Sequence, residues 1–199
     1  APGSEGDPMN QGFDRFYGLN CQRQSHNFYP THVWSDRKKV QLDRKHYSHT
    51  LIADECLKFI RANKDKPFFC YVPFTIPHAA MQAPEDRVAP WRKKFPEFEN
   101  VTGRYGGSVI KNPVAAFAAM MTLMDEDVGR ILDLLGELGI EKDTLVIFTS
   151  DNGPHKEGGH KPDFFDSNGP LKGYKRDLYE GGIRVATTAW WPGRIKAGS

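Results

Sequence analysis

Two long stretches of the chain repeat apolar residues at the spacing of an α-helix. Residues 46–63 carry apolar side chains three and four positions apart, which predicts an amphipathic helix. A longer apolar stripe starts at Pro113, and a proline fits the first turn of a helix. That stripe runs to Leu138-Gly139, where glycine is a common C-terminal cap. The pattern therefore predicts two amphipathic helices, and the second is the longest in the chain.

Three shorter apolar runs, rich in aromatic and β-branched residues, have the composition of buried strands. They are residues 68–72, 145–149 and 183–191. Because strands and helices follow one another in the order strand–helix–strand, we predict an α/β fold with a mostly parallel central sheet flanked by helices. Residues 79–112 hold many prolines and glycines and few periodic apolar positions, so we predict a long surface loop there.

Composition and charge disfavour several classes of function. The length of 199 residues suffices for one domain with a hydrophobic core. Basic and acidic residues nearly balance, and a net charge of +2 gives no support for binding to nucleic acid or to an anionic membrane. No apolar run approaches the roughly 20 residues of a membrane-spanning helix. The cysteines form no Cys-x-x-Cys pair, which disfavours a zinc ribbon, and Cys56 and Cys70 are expected to be buried thiols.

Polar side chains that suit chemistry follow two of the predicted strands. Asp151 and Asn152 come directly after the second strand, and His78 follows the first. Ligands of open α/β sheets bind at the carboxyl ends of strands, and carboxylate and carboxamide oxygens suit Ca²⁺ or Mg²⁺. With Lys175, from a glycine-punctuated loop, these groups suit a sulfate or phosphate ester held on a divalent metal. Spacing alone leaves open a simple turn at Asp151 and ordinary surface positions for His78 and Lys175.

Two histidines follow the Asp-Asn pair. His155 and His160 lie in a short segment that also contains two glycines. A loop of this kind can contribute to a substrate pocket, so both histidines are candidate substrate-binding residues. A mobile polar loop is an equally good interpretation from the sequence.

Six motifs of the chain resemble, in the same order, those of the type I sulfatase family, the arylsulfatase-like branch of the alkaline phosphatase superfamily. Three of them are Thr-Ser-Asp-Asn-Gly-Pro at 149–154, Gly-Pro-Leu-Lys-Gly-Tyr-Lys at 169–175, and the segment with Tyr-Glu-Gly-Gly at 178–185. The other three are Gly12–Gly18, Pro67–His78 and Met124–Ile131. Each motif alone is modest, but the set is specific and covers nearly the whole chain. The resemblance implies an alkaline phosphatase-like α/β fold.

The resemblance also implies a reaction and its residues. The family hydrolyses sulfate esters with a formylglycine, made from Cys or Ser, on a bound Ca²⁺, and Mg²⁺ is a possible replacement. Asp151 and Asn152 match the family's calcium ligands. His78 matches the histidine that contacts the sulfate or the leaving oxygen, and Lys175 matches the lysine that contacts the sulfate and the formylglycine. Arg184, next to the Tyr-Glu-Gly-Gly motif, is expected to pair internally.

Three parts of the family pattern are absent from the sequence. They are the nucleophile motif Cys/Ser-x-Pro-Ser-Arg, the paired aspartates near the family's N-terminus, which also bind calcium, and the Gly-Lys-Trp-His segment that precedes the Gly-Phe-Asp turn in the family. We therefore expect residues 1–199 to be a partial sulfatase catalytic domain, without the nucleophile-bearing N-terminal part and the smaller C-terminal subdomain. Formylglycine is then expected in the missing segment, and the chain alone is expected to be inactive.

Two other functions stay open at this point. One is a phosphoesterase of the same superfamily, although the Asp-Asn pair resembles sulfatases more than phosphodiester-cleaving relatives. The other is a non-catalytic fragment that binds a metal through Asp151 and Asn152. For the sulfatase, the expected partner is a small sulfate ester or a sulfated carbohydrate. The family resemblance implies export, to the periplasm or outside the cell, or a lysosomal location.

Overall fold

Helices and short strands follow one another along the chain in the computed structural model, which describes residues 2–199. The helices are α1 (Gln22–Ser25), α2 (Ser48–Asn63), α3 (Glu85–Lys94), α4 (Pro113–Glu137) and α5 (Glu180–Ile183). The strands are β1 (Tyr17–Gly18), β2 (His32–Ser35), β3 (Lys38–Gln41), β4 (Thr102–Tyr105), β5 (Ser108–Lys111), β6 (Val146–Phe148) and β7 (Thr188–Trp190). Short 3₁₀ turns lie at Pro8–Asn10, Pro96–Phe98, Glu141–Asp143 and Glu157–Gly159.

The two predicted amphipathic helices are confirmed as α2 and α4. Asn112 caps the start of α4, because its side-chain oxygen accepts a hydrogen bond from the Ala115 amide at 3.0 Å. The helix ends just before Gly139, which adopts a φ of +69° that favours glycine. The two helices pack through a buried cluster of Cys56, Ile60, Leu134 and Leu135. Within residues 2–199, neither these helices nor any other is both long and apolar enough to cross a membrane.

The observed strands are shorter than the apolar runs that predicted them. β6 is limited to three residues of the second run, and β7 to three residues near the end of the third. The start of the third run is helical in α5, where the Arg184 amide donates to the Glu180 carbonyl oxygen at 2.7 Å. Residues 68–72 are extended but join no strand ladder within the described part of the chain.

The strand pairs within residues 2–199 are all antiparallel, so the expected parallel ladder is not found in this part of the chain. Residues 68–72 and β6 each pack one face against the α2–α4 cluster. Their other faces are open, because Phe69 is 74% exposed, Tyr71 66% and Ile147 59%. A parallel ladder needs a neighbouring strand that runs in the same direction, and apolar composition alone does not show whether that neighbour is present. The result is a mixed arrangement of helices and strands in which helices cover one face.

The prediction of a long surface loop over residues 79–112 is wrong, because this region contains α3 and the β4–β5 hairpin. Acidic residues in the first turn of α3 and basic residues in its last turn complement the helix dipole. Val88 and Trp91 pack its inner face against α4. The hairpin turns at Gly106-Gly107, whose φ values of +53° and +85° suit a two-residue turn. Glycine here marks a tight hairpin rather than an irregular loop.

The two cysteines expected to be buried face each other between α2 and the extended segment 68–72. Both are free thiols, and their Sγ atoms lie 3.7 Å apart. Cys56 is buried and Cys70 is half-buried, so the expectation holds fully for the first and in part for the second.

Candidate active site

The two residues predicted as catalytic, His78 and Lys175, lie in direct contact. Lys175 Nζ is 3.2 Å from His78 Nε2, although 97 residues separate the two in sequence. His78 lies in a turn in which its carbonyl oxygen accepts a hydrogen bond from the Met81 amide at 3.1 Å. Ile76 and Met81, on either side of His78, are buried in the same core cluster. The imidazole is therefore carried by a turn that is anchored in the core.

Lys175 is positioned by backbone contacts with the loop that follows β6. Its amide donates to the Pro154 carbonyl oxygen at 2.9 Å, and the Gly153 amide donates to the Gly182 carbonyl oxygen at 2.9 Å. A Cβ atom added at Gly153 would overlap the Gly181 carbonyl oxygen, so the approach of the two backbones requires glycine. The glycines of the two loops thus bring Lys175 beside the end of β6.

His78 is neutral near pH 7. Burial lowers its pKa to about 4, and the neighbouring Lys175, His26 and His155 act in the same direction, whereas Glu157 acts weakly against them. Because the Lys175 ammonium can only donate, His78 Nε2 accepts, and the ring proton lies on Nδ1. That Nδ1 atom is buried without a hydrogen-bond partner in the described residues. The pair therefore presents a cation beside an uncharged base.

Asp151 and Asn152 lie at the end of β6 with available oxygen atoms. Asp151 is exposed, and no hydrogen bond or ion pair within residues 2–199 engages its carboxylate. Asn152 Nδ2 donates to the Gly153 carbonyl oxygen at 3.0 Å, which leaves Asn152 Oδ1 available. These hard oxygen donors fit Ca²⁺ or Mg²⁺, but such cations take six or more ligands. Within residues 2–199 no group of three or more His, Cys, Asp or Glu side chains is placed to hold a metal ion. The donors present suit part of a metal site.

The two candidate substrate-binding histidines are buried behind His78. His155 is 8% exposed and His160 is 4% exposed. His155 Nε2 lies 3.0 Å from the Pro77 carbonyl oxygen, and its ring centroid is 5.0 Å from that of His160. Burial lowers the pKa of both histidines, that of His160 to about 3, so both are neutral near pH 7. Their burial favours support of the turn that carries His78, and contact with a substrate stays a prediction.

The loop that carries these histidines packs tightly against three other segments. His160 stacks on Phe117 of α4, with ring centroids 3.8 Å apart. A Cβ atom added at Gly103 of β4 would overlap the Gly158 carbonyl oxygen, and one added at Gly158 would overlap the Ala79 carbonyl oxygen. This packing ties the loop to β4, to α4 and to the turn that follows Pro77.

Two rings that sequence reasoning did not single out complete the surroundings of His78. The His26 ring stacks on the His78 ring, with centroids 4.6 Å apart and planes 7° apart. Tyr105, at the end of β4, meets both rings edge-on at 5.6 Å. The Gly106-Gly107 pair is a sequence signal for the hairpin that places Tyr105. A single histidine in a polar segment has no such signal, so only the structure reveals His26.

Arg184 pairs internally, as expected. Its Nε atom lies 2.9 Å from Glu180 Oε2, four residues earlier along α5. Both side chains are exposed, so the pair contributes little stability. Gly181 and Gly182 of the same motif are buried between the two loops, where a side chain has no room.

Sequence comparison matches nearly the whole chain to one family model, that for sulfatases, over residues 2–199. The N-acetylgalactosamine-6-sulfatase of Rattus norvegicus is 37% identical over 155 residues, which cover 74% of this chain and 24% of that protein. The uncharacterized sulfatase YdeN of Escherichia coli (strain K12) is 30% identical over 199 residues, which cover 98% of this chain and 31% of that protein. The chain thus spans less than a third of the length of these two relatives.

Solved structures share the fold. The crystal structure of Ps i-CgsB in complex with k-i-k-neocarrahexaose matches with a TM-score of 0.74 and 26% identity, and covers 98% of this chain and 43% of that chain. The structure of BT4656 in complex with its substrate D-glucosamine-2-N,6-O-disulfate matches with a TM-score of 0.67. The second match, at 18% identity, covers 95% of this chain and 51% of that chain and bears on the fold alone. These likenesses confirm the α/β class and the alkaline phosphatase-like fold.

Proposed function

Because this chain belongs to the sulfatase family, we propose that the protein containing it hydrolyses sulfate esters, and that His78 and Lys175 form the part of its active site that meets the leaving oxygen. The contact of 3.2 Å between Lys175 Nζ and His78 Nε2 carries the proposal. It joins a cation that can bind a sulfate oxygen to a ring that can exchange a proton, both at the loop that bears the Asp-Asn pair.

Lys175 binds an oxygen of the sulfate group in this proposal. An ammonium group that is half-buried between loops interacts more strongly with an anion than it does in bulk water. Its backbone contact with Pro154 holds it at the end of β6, where the carboxamide and carboxylate oxygens also lie. The same lysine accounts for the recognition of an oxyanion by this loop.

His78 exchanges a proton with the leaving oxygen. In the structure its Nε2 atom accepts from Lys175, and its pKa is lowered to about 4. A bound sulfate ester would draw the Lys175 ammonium to a sulfate oxygen, which frees Nε2. The negative charge of the ester beside the ring raises the pKa of His78, so that Nε2 takes up a proton from solvent water. The protonated ring then donates that proton to the leaving oxygen, which is general acid catalysis.

Asp151 Oδ and Asn152 Oδ1 would hold the divalent cation, Ca²⁺ or alternatively Mg²⁺, together with ligands from outside this chain. When bound, the cation polarises the sulfate oxygens, and formylglycine, which no motif of this sequence provides, supplies the nucleophile. The open oxygen atoms of both side chains are the structural support for this assignment.

A sulfated carbohydrate is the proposed substrate class. The support is the 37% identity to a protein named N-acetylgalactosamine-6-sulfatase and the 26% identity to Ps i-CgsB, whose crystal structure contains a neocarrahexaose. A small sulfate ester is the alternative within the same reaction. An exported or lysosomal location stays a prediction from the family.

Residues 1–199 alone are proposed to be a partial catalytic domain without turnover. Asp151 and Asn152 offer two ligand side chains where Ca²⁺ takes six to eight oxygen atoms, and the sequence lacks the nucleophile motif. Measurable, calcium-dependent release of sulfate by residues 1–199 would contradict this proposal.

The decisive experiment assays the product of the complete gene with sulfated N-acetylgalactosamine, 4-nitrophenyl sulfate and 4-nitrophenyl phosphate. We expect sulfate release that stops when a chelator removes the metal and returns with Ca²⁺. Faster hydrolysis of the phosphate ester than of either sulfate ester would identify a phosphoesterase instead. Metal binding without turnover of any ester would identify a non-catalytic protein.

A further inference from the structure

The imidazole of His26 forms a parallel stack with that of His78. The centroid separation of 4.6 Å and the interplanar angle of 7° describe a nearly parallel, offset stack of the two rings. Tyr105 closes the edge of the stack by meeting both rings at 5.6 Å. One face of His78 is thus covered by a residue that the sulfatase resemblance did not assign.

The backbone segments that carry the two stacked rings are fastened to each other. Phe28, two residues after His26, is fully buried, and its amide donates to Gln82 Oε1 at 2.7 Å. The Tyr47 hydroxyl donates to the Gln82 carbonyl oxygen at 2.8 Å. Gln82 lies four residues after His78. Its hydrogen bonds to Phe28 and Tyr47 therefore hold the segment that carries His26 close to the segment that carries His78. The stack is therefore a built feature of the fold rather than a chance contact of two surface rings.

The remaining surroundings of His78 leave its ring little freedom to rotate. The His155 ring lies 6.1 Å away at 27°, so a second imidazole lies near the first. Lys175 Nζ lies 3.2 Å from His78 Nε2. The groups whose charge acts on the pKa of His78 are Lys175, His26, His155 and, more weakly and in the opposite direction, Glu157. With His26 removed, one face of the ring would become open to water.

His26 influences its surroundings through its ring rather than through hydrogen bonds. Within residues 2–199 no hydrogen bond or ion pair engages its side chain, and its contacts are with the rings of His78 and Tyr105. A phenyl ring can make the same stack, whereas a methyl group cannot. Substitution by phenylalanine and by alanine therefore distinguishes the effect of the stacked ring from the effect of the ring nitrogen atoms.

We propose that His26 is a positioning residue, whose stacked ring holds the His78 imidazole in the orientation that directs Nε2 at Lys175. The orientation of the His78 ring by His26 follows from the observed stack and does not depend on the reaction that the protein catalyses. The catalytic consequence rests on the proposed sulfatase function, because it is the proton exchange of His78 that depends on this orientation.

The first test follows His78 by NMR in isotope-labelled residues 1–199, without any substrate. We expect His26→Ala to change the ring-current shifts of His78 and to raise its pKa from about 4 toward the ordinary histidine value, because a covering ring and a like charge are lost. His26→Phe should keep the shifts close to wild type. His46→Ala, at an exposed histidine that pairs with Asp43, is the control and should change neither.

The second test measures sulfate ester hydrolysis by the complete gene product. His26→Ala should lower kcat on the order of tenfold to a hundredfold with little change in KM, and His26→Phe should recover most of that loss. Equal losses for the alanine and phenylalanine variants, with unchanged melting temperatures, would show that a nitrogen of His26 acts directly and would overturn the positioning role. Unchanged His78 shifts and pKa in His26→Ala would overturn it as well. The NMR experiment needs no turnover. Its result would therefore still test the positioning role of His26 if the protein proved not to be a sulfatase.

Discussion

The two ends of the candidate site differ in how completely this chain surrounds them. At one end His78 is stacked on His26, bonded to Lys175 and backed by the buried His155. At the other end Asp151 is exposed and unpaired within residues 2–199, and the strand that leads to it exposes 59% of Ile147. The difference shows that this chain encloses the His78–Lys175 pair, which is proposed to bind an oxyanion and exchange a proton. The groups that suit a metal are not joined, within residues 2–199, by enough His, Cys, Asp or Glu side chains to form a metal site.

Removal of the Lys175 ammonium should have the largest effect. This group lies at the end of the site that surrounds His78, here called the enclosed end; the end with Asp151 is called the open end. Lys175→Ala is expected to lower kcat/KM for a sulfate ester about 100-fold to 1,000-fold in the complete gene product, because within residues 2–199 no other group forms a hydrogen bond with His78 Nε2. Steady-state kinetics check this. Lys161→Ala is the matched control, since Lys161 is exposed and its side chain makes no hydrogen bond or ion pair within residues 2–199. Activity of Lys175→Ala within twofold of the control would contradict the assignment.

A side chain added at Gly153 should push apart the loop that follows β6 and the loop that carries Lys175. Gly153→Ala would put a Cβ atom onto the Gly181 carbonyl oxygen. We therefore expect the free energy of unfolding to fall by about 1–3 kcal/mol and the contact between Lys175 and His78 to be lost. Urea unfolding and NMR of residues 1–199 measure both. Gly129→Ala is the control, because Gly129 lies in α4 with open space around it and alanine should stabilise the helix by about 0.5–1 kcal/mol. Equal stability of the two variants would show that the loops are not tightly joined.

The buried histidines should make the enclosed end sensitive to acid. The pKa of His160 is about 3 in the folded chain and 6.5 as its ordinary value, so the unfolded chain binds the proton more readily. Its contribution to stability is full above pH 6.5 and is lost as the pH falls toward 3, by about 2 kcal/mol between pH 7 and pH 5.

The variant His160→Phe keeps a ring against Phe117 and removes this titration. Unfolding of residues 1–199 at the two pH values should therefore show a smaller acid loss in this variant than in wild type. His46→Phe changes an exposed histidine and should keep the wild-type loss. An unchanged acid loss in His160→Phe would show that other groups cause it.

The smallest effect is expected at the open end. Ile147→Thr keeps a β-branched residue on an exposed face, so it should change the free energy of unfolding of residues 1–199 by less than about 0.5 kcal/mol. Leu135→Ala, in the α2–α4 cluster, should cost about 2–5 kcal/mol in the same measurement. In the complete gene product we expect Ile147→Thr to cost clearly more than in this chain. An equally small cost there would contradict the proposal that residues 1–199 are part of a larger domain.

Local patterns predicted the elements that depend on local chemistry. The apolar stripes of α2 and α4 and the Gly139 cap each depend on residues a few positions apart, whereas the pairing of Arg184 was an expectation from the family resemblance. The prediction of a loop at residues 79–112 was wrong because the number of prolines and glycines does not show whether they lie in turns between regular elements. In the structure glycines form a hairpin turn there, and the charge pattern of α3 complements its dipole.

The sequence by itself determined the two long helices α2 and α4, the family resemblance and the candidate residues Asp151, Asn152, His78 and Lys175. Only the tertiary structure decided that His78 and Lys175 touch, that His26 stacks on His78, and that all strand pairs in residues 2–199 are antiparallel. Periodicity reports which face of an element is apolar, because that is set by neighbours along the chain. It does not report what covers that face or which distant ring meets another, because those depend on contacts between segments far apart in sequence.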